Sequence, residues 1–192
     1  MGYLEKLGFS NGIITDFFKP FFSGIFLETQ LETSSRMFEF VYKMFGEGQA
    51  TLPKAGIEAI PKQLLTNLKT TSFRYNTKVE SLKDGEITLK DGTKLKSHYT
   101  IVATEASGLI SNLKQQSTAW KSCVTLYFET NSRVIDQKLI GLIPKSGAFI
   151  NNVFYNTSLE TDTDPQNELL SVTVIDTQGL SNASLIEAVK TE

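Results

Sequence analysis

The spacing of apolar and polar residues changes twice along the chain and divides it into helical and β-rich stretches. Before residue 70, apolar residues recur at helical spacing, which predicts helices over 1–19, from Met37 to a stop at Gly46 or Gly48 with a cap in Thr33-Ser34-Ser35, and over 57–68. Pro20 is expected to end the first helix, so residues 21–32 are predicted to form a loop. After residue 118, alternating runs predict strands at 121–129, 139–143, 148–155 and 168–176. A last helix over 185–190 is predicted to be capped by Ser181, Asn182 or Ser184.

A different pattern fills residues 72–106, between these two regions. A strand is predicted over Phe73–Leu82, and the Asp-Gly pairs at 84–85 and 91–92 flank a short alternating run. Asp-Gly favours tight hairpin turns because glycine adopts positive φ without steric cost, so we predict a three-stranded meander. The run Tyr99–Thr104 is nearly all apolar, as in a strand covered on both faces. We predict a buried strand there, followed by a short helix over Ala106–Lys114.

These elements predict an α+β fold in two lobes. Residues 1–70 and 119–192 are expected to form one lobe, and residues 71–118 to belong to the other. The order of the elements supports this division into lobes, because helices precede the central β unit and further strands follow it.

Composition narrows the classes of function. The 192 residues carry a net charge of −2, which gives no electrostatic footprint for nucleic acid. No apolar run approaches the roughly 20 residues of a membrane span. Cys123 is the single cysteine, so no intrachain disulfide can form and a cytoplasmic location is expected. We expect this thiol to be buried and inert, and the single histidine, His98, to lie on the surface.

Three segments in succession resemble the flavin-dependent amine oxidase superfamily, which includes phytoene desaturase-like and protoporphyrinogen oxidase-like flavoproteins. The segment KPFFSGIFL at 19–27 is similar to its substrate-domain signature of a proline in an aromatic run followed by glycine. The segment LPKAGIEAIP at 52–61 is similar to the family's P-x-G-G-M-x-x-I-P, with Ala55 where a glycine is usual. The third segment consists of T-x-V at 77–79, the predicted meander with its two Asp-Gly pairs, and IVATEA at 101–106.

The resemblance implies an FAD-dependent oxidoreductase in which an amine or apolar substrate passes a hydride to the flavin. It places cofactor contacts at five positions: Gly56, Val79, Ala103, Thr104 and Glu105. It also places an apolar substrate beside Phe21, Phe22 and Phe26. Residues 1–70 and 119–192 correspond to the substrate domain and 71–118 to part of the FAD-binding domain. We name no catalytic residue, because the flavin itself supplies the reacting atoms in such enzymes.

Each of these positions also has a purely structural interpretation. Val79 is then an ordinary β-branched strand residue, Thr104 the N-cap of the following helix, and the Phe cluster a packed core. The acidic residues around Asp162 and Asp164 lack calcium-loop spacing and are interpreted as a solvated loop.

The chain lacks the G-x-G-x-x-G turn that binds a dinucleotide pyrophosphate. We therefore expect a fragment of a flavoprotein that does not hold FAD or act alone, and whose bared apolar surface self-associates. The alternative is a non-catalytic module of the same fold that binds a hydrophobic ligand or a partner chain.

Overall fold

The computed structural model describes residues 2–110, 113, 119–160 and 166–192. Its helices are α1 (Gly2–Lys6), α2 (Asn11–Ile13), α3 (Lys19–Phe26), α4 (Ser35–Glu47), α5 (Ala59–Thr66) and α6 (Asn182–Thr191). Its strands are β1 (Val79–Lys83), β2 (Glu86–Leu89), β3 (Lys94–Lys96), β4 (Val124–Thr130), β5 (Gly141–Leu142), β6 (Ile150–Tyr155) and β7 (Glu168–Val174). This mixture of helices and antiparallel sheets confirms the α+β class.

The chain folds as two compact units. The first unit comprises residues 1–63 and 121–192, and the second comprises residues 64–120. Helix α5 spans the division between them. The first unit contains the four-stranded sheet with the order β4-β7-β6-β5, and the second contains the three-stranded sheet β1-β2-β3.

The four-stranded sheet packs against α6. Val172 and Val174 of the central strand β7 form a buried cluster with Leu185 and Val189 of the helix. Leu185 and Val189 lie one turn apart and therefore share a helix face. Ser181 caps α6 by accepting a hydrogen bond from the Ser184 N–H at 3.3 Å. The predicted strands at 121–129, 148–155 and 168–176, and the final capped helix, are thus confirmed with shifted ends, while β5 is shorter than predicted.

The prediction that Pro20 ends the first helix is wrong. A π-helical turn at Ile14–Phe18 follows α2, and the Lys19 N–H donates to the Ile14 carbonyl. Pro20 then occupies the first turn of α3, where its missing N–H costs little. The helix stops at Leu27, whose φ is 52°. The predicted loop therefore begins after Phe26, because the widened turn lets the chain pass the proline and continue as a helix.

Helix α3 packs on an aromatic core and on the sheet. Phe18 and Phe22 are buried with Leu4 and Ile14. On its other side Gly24 lies so close to β6 that an added Cβ would come within 2.8 Å of Asn151 Oδ1. The helix after it behaves as predicted, since Ser34 caps α4 and the chain leaves the helix at Gly48.

The second unit is built on the predicted meander, which is confirmed. Leu82 pairs with Ile87 and Ile87 with Leu95, all antiparallel. Gly85 and Gly92 adopt positive φ of 75° and 83°, which explains the glycine in each turn. The first strand begins at Val79 rather than Phe73, because residues 73–78 form no ladder.

The predicted buried strand at 99–104 is wrong. No strand forms there, and Tyr99 and Ile101 are each 94% exposed. An apolar run of this kind needs neighbouring strands and covering layers, and none of the described residues pairs with it. The predicted helix over 106–114 starts as a turn in which the Leu109 N–H donates to the Ala106 carbonyl at 2.9 Å. Residues 111, 112 and 114 lie outside the described residues.

Two predictions for single side chains have opposite outcomes. His98 is exposed, as predicted, whereas Cys123 is exposed rather than buried because it lies just before β4 begins. Within the described ranges, no helix is long and apolar enough to cross a membrane, and no cluster of acidic, His or Cys side chains has metal-site geometry. Asp162 and Asp164 of the acidic loop lie outside those ranges.

Candidate functional site

Val79 lies at the first position of β1, on the edge of the meander. It pairs with Leu89, and the register shifts before Ser81, so the ladder is irregular immediately after it. The outer side of β1 is approached by the turn at Leu109, whose carbonyl accepts from the Leu82 N–H at 3.1 Å. Val79 is half-buried and at the end of this edge, a position at which backbone groups are accessible to a ligand.

The segment Ala103–Glu105 is exposed and has no regular structure. The Glu105 carboxylate accepts a hydrogen bond from the Ser107 backbone N–H at 2.9 Å. Hydrogen bonds from the Ser107 side chain and backbone N–H hold the pKa of the Glu105 carboxyl below its ordinary value. Glu105 thus takes the capping role that the sequence suggested for Thr104, and it is ionised at neutral pH.

Gly56 belongs to the first unit, whereas the other four proposed cofactor contacts belong to the second. Its φ is 80°, and its N–H donates to the Pro53 carbonyl at 3.0 Å in a tight turn. No described atom lies within 4 Å of the position an added Cβ would occupy. The turn therefore leaves one face of the backbone open, although Ala55 stands where the family has the first of its two glycines.

The three phenylalanines assigned to a substrate lie on helix α3 and not in a loop. Phe22 is 1% exposed and belongs to the core, which the structural interpretation of the cluster predicted. Phe26 contacts Phe22 with a ring separation of 5.5 Å, and Phe21 stacks on Phe17 at 5.3 Å. Phe22 and Phe26 border a cavity of about 50 Å³. That volume is of the order of one or two water molecules and too small for an organic substrate.

A larger cavity of about 480 Å³ opens on a different face of α3. Lys19, Pro20 and Ser23 form the side supplied by α3, and residues 143–151 with Ile175 and Asp176 form much of the rest. Sequence reasoning selected the aromatic residues of the KPFFSGIFL segment and missed these. The available signal was the four-residue spacing of Lys19 and Ser23, which places both on one helix face.

The family model described as flavin containing amine oxidoreductase matches residues 1–190. The chain belongs to this family. A search of curated proteins finds no match to it. Family membership implies a flavin cofactor, and it supports the resemblance noted in the sequence.

The described residues do not fit a complete FAD on their own. A dinucleotide pyrophosphate is bound by successive backbone N–H groups of a glycine-rich turn at a helix N-terminus, and the sequence contains no such turn. The proposed contacts are divided between the two units, and no side chain among them is buried. The backbone N–H and C=O groups of these residues can hydrogen-bond to the adenine and to the edge of the flavin ring. None of their side chains is positively charged, so none of them neutralises the phosphates.

Proposed function

We propose that the chain is part of an FAD-dependent oxidoreductase whose remaining flavin-binding segments come from additional polypeptide. Residues 71–118 contribute a piece of the FAD-binding domain, and residues 1–70 and 119–192 contribute the substrate domain. The family match over residues 1–190 supports the flavin, and the substrate class follows the family, an amine or an apolar molecule. Val79, Ala103, Thr104 and Glu105 approach the flavin through backbone, with Gly56 doing so from the substrate domain.

The observation that carries this proposal is the exposed apolar run at 99–102. Tyr99 and Ile101 are each 94% exposed, an unusual state for two large apolar side chains so close together in one segment. A nearly all-apolar run ending in small residues has the composition of a central strand in a parallel sheet. Further strands from a flavin-binding domain would cover it and place residues 103–105 at the carboxyl edge of that sheet, where such sheets bind ligands.

The test compares flavin binding by the 192-residue chain with binding by a version extended with the family's glycine-rich and C-terminal flavin segments. We expect the 192-residue chain to elute colourless from gel filtration with FAD, and the extended version to retain the flavin absorbance band. In the extended version, Val79→Pro removes the N–H at a strand's first position, where proline is tolerated. FAD affinity should then fall.

The matched control is Val79→Ala, which keeps the N–H and removes most of the side chain. Circular dichroism checks that both variants fold. Equal loss in the two variants, or unchanged affinity in Val79→Pro, would make Val79 an ordinary strand residue. A near-stoichiometric flavin band on the 192-residue chain would contradict the need for further segments.

A non-catalytic binding module is the second candidate, and helix α4 favours it. No residue of α4 is buried, and several large apolar side chains along it are exposed: Met37, Phe40, Met44 and Phe45. Such a surface suits a hydrophobic ligand, a partner chain or self-association. An extended version that folds but retains no flavin would favour this module over the enzyme.

A further inference from the structure

The cavity beside α3 has the size and the lining of a small-molecule site. Its volume is about 480 Å³, within the usual range of about 300–1,000 Å³ for ligand pockets. Much of its wall is apolar and is supplied by Pro20, Ile143, Phe149 and Ile150. All of the lining residues belong to the first unit, so the cavity is complete within that unit.

Hydrogen bonds within the protein hold the walls of the cavity in place without a ligand. Asn151 Nδ2 donates to the Pro20 carbonyl at 3.1 Å, which ties β6 to α3. Asn152 Nδ2 in turn donates to Asn151 Oδ1 at 2.8 Å, and Gly24 allows this close approach. The π-helical turn enters the same wall at Thr15, and such turns occur often at functional sites. The fold itself therefore forms the cavity.

Ser23 supplies a hydrogen-bonding group without a partner. Its residue is 3% exposed, and it lines the cavity. The Ser23 carbonyl accepts the Leu27 N–H at the end of the helix, but the hydroxyl makes no hydrogen bond with any residue that the structure describes. Because Ser23 lines the cavity and its hydroxyl has no partner among the described residues, the hydroxyl is available to an occupant of the cavity.

The charges on the lining favour an anion. Lys19 and Lys145 both line the cavity, and neither forms an ion pair within the described ranges. The one carboxylate on the lining is that of Asp176, which accepts the Gln178 N–H at 2.8 Å, so the two lysines leave the lining with an excess of positive charge. Lys19 and Ser23 lie one helical turn apart on the same face, so an ammonium group and a hydroxyl act from one side.

We propose that this cavity binds a small monocarboxylate with an apolar or aromatic body. The carboxylate pairs with the Lys19 ammonium and accepts a hydrogen bond from the Ser23 hydroxyl. The body of the ligand packs against Pro20 and Phe149. The site uses none of the residues assigned to the flavin, so it stands whether or not the chain takes part in flavin chemistry.

The test titrates the 192-residue chain with phenylacetate, phenylacetamide and phenethylamine at millimolar concentrations, followed by saturation-transfer NMR. Phenylacetate and phenylacetamide have nearly the same shape and differ in charge, so their comparison isolates the ion pair. We expect phenylacetate to bind about tenfold more tightly than phenylacetamide, since hydrogen bonds to charged groups are roughly twice as strong as neutral ones. Phenethylamine should bind most weakly because of Lys19 and Lys145.

Two variants assign the contacts. Lys19→Met should reduce phenylacetate binding to the level of phenylacetamide, and Ser23→Ala should weaken phenylacetate binding by a few fold. Lys6→Met, which removes an exposed cation on α1, is the matched control and should leave binding unchanged. No binding of phenylacetate, equal binding of the amide, tighter binding of the amine, or an unchanged Lys19→Met variant would each overturn the proposal. The ligand comparison on the native chain remains decisive if a variant fails to fold.

Discussion

The two units of the chain bury their apolar residues to very different degrees. In the first unit, α3 and its neighbours enclose one buried cluster, and β7 with α6 enclose another. In the described part of the second unit, Leu89 at 5% exposure is the single buried hydrophobic residue. The difference lies in what covers each sheet. The four-stranded sheet has a helix on one face, whereas no helix among the described residues of 64–120 packs on the meander.

This difference shows that a correct local pattern does not guarantee a core. The meander has good turns and pairs as predicted, yet Tyr99 and Ile101 of the apolar run that follows it remain in solvent. Three strands need a buried hydrophobic face or a packed helix for independent stability. We therefore expect the first unit to hold most of the folding free energy. Of the three pairs of substitutions below, the phenylalanine and glutamate pairs compare the two units directly.

The largest effect should come from Phe22→Ala in the first unit, compared with Phe73→Ala in the second. Phe22 is 1% exposed and contacts several rings, whereas Phe73 is 44% exposed and stacks on Tyr75 at 6.1 Å. Truncating a buried phenylalanine typically costs about 3–5 kcal/mol, through lost transfer energy and a residual cavity. We expect a loss in that range for Phe22→Ala and less than about 1 kcal/mol for Phe73→Ala.

Urea unfolding followed by circular dichroism at 222 nm measures both free energies. A loss for Phe73→Ala as large as that for Phe22→Ala would mean that the second unit has a core that its exposure does not reveal.

The next effect concerns the close approach of α3 to β6. In Gly24→Ala the added methyl meets the Asn151 side chain at 2.8 Å and Asn152 Nδ2 at 3.2 Å. Both amides are fixed by hydrogen bonds, so moving them breaks the tie to Pro20. We expect a loss of about 1–3 kcal/mol, the usual cost of overpacking.

Gly46→Ala is the matched control, because it also replaces a helical glycine but meets no described atom within 4 Å. It should raise stability by about 0.5–1 kcal/mol through helix propensity. Thermal unfolding of the two variants compares them directly. A gain for both would show that α3 and β6 are less tightly packed than their geometry indicates.

Sequence patterns sufficed where a local rule determined the structure. The Asp-Gly turns and the alternating run at 86–90 led to the meander, and the serine caps marked the starts of α4 and α6. They failed where distant contacts decide. The chain passes Pro20 because the preceding turn widens, and the 99–104 run forms no strand because none of the described residues pairs with it. Neither the widened turn nor the missing strand can be predicted from the composition of its own segment.

The candidate site was less accessible to prediction than the fold. The family resemblance indicated the KPFFSGIFL segment, but the aromatic residues chosen from it lie on the side of α3 that packs into the core. Lys19 and Ser23 line a cavity only because Phe149, just before β6, and Asn151 within it supply part of the lining from more than a hundred residues later in the chain. Since the cavity depends on that long-range contact, the spacing of Lys19 and Ser23 alone could not have revealed it.

The smallest effect concerns one ion pair in each unit. In the first, Glu28 accepts the Thr33 N–H at 2.7 Å and pairs with Lys121, and its side chain is 9% exposed. Burial acts to raise the pKa of the Glu28 carboxyl, but the hydrogen bonds and charge of its partners outweigh it, so the pKa is lowered. In the second unit, Glu86 pairs with Lys94 at 2.9 Å in a more exposed position, and this hydrogen bond lowers the pKa of Glu86 as well.

Glu28→Gln should therefore cost about 1 kcal/mol near neutral pH, because the amide keeps an acceptor for Thr33 but loses the charge opposite Lys121. A carboxyl whose pKa is lower in the folded state contributes fully above its unfolded pKa, about 4.3, and loses that contribution as the pH falls through the folded value. The difference in unfolding free energy between native chain and variant should be constant from pH 6 to 7 and should shrink below about pH 4.3. Glu86→Gln is the control and should show a smaller difference with the same pH trend, because solvent and salt screen its exposed pair. Urea unfolding across this pH range separates the two, and equal effects would mean that burial adds nothing to the Glu28 pair.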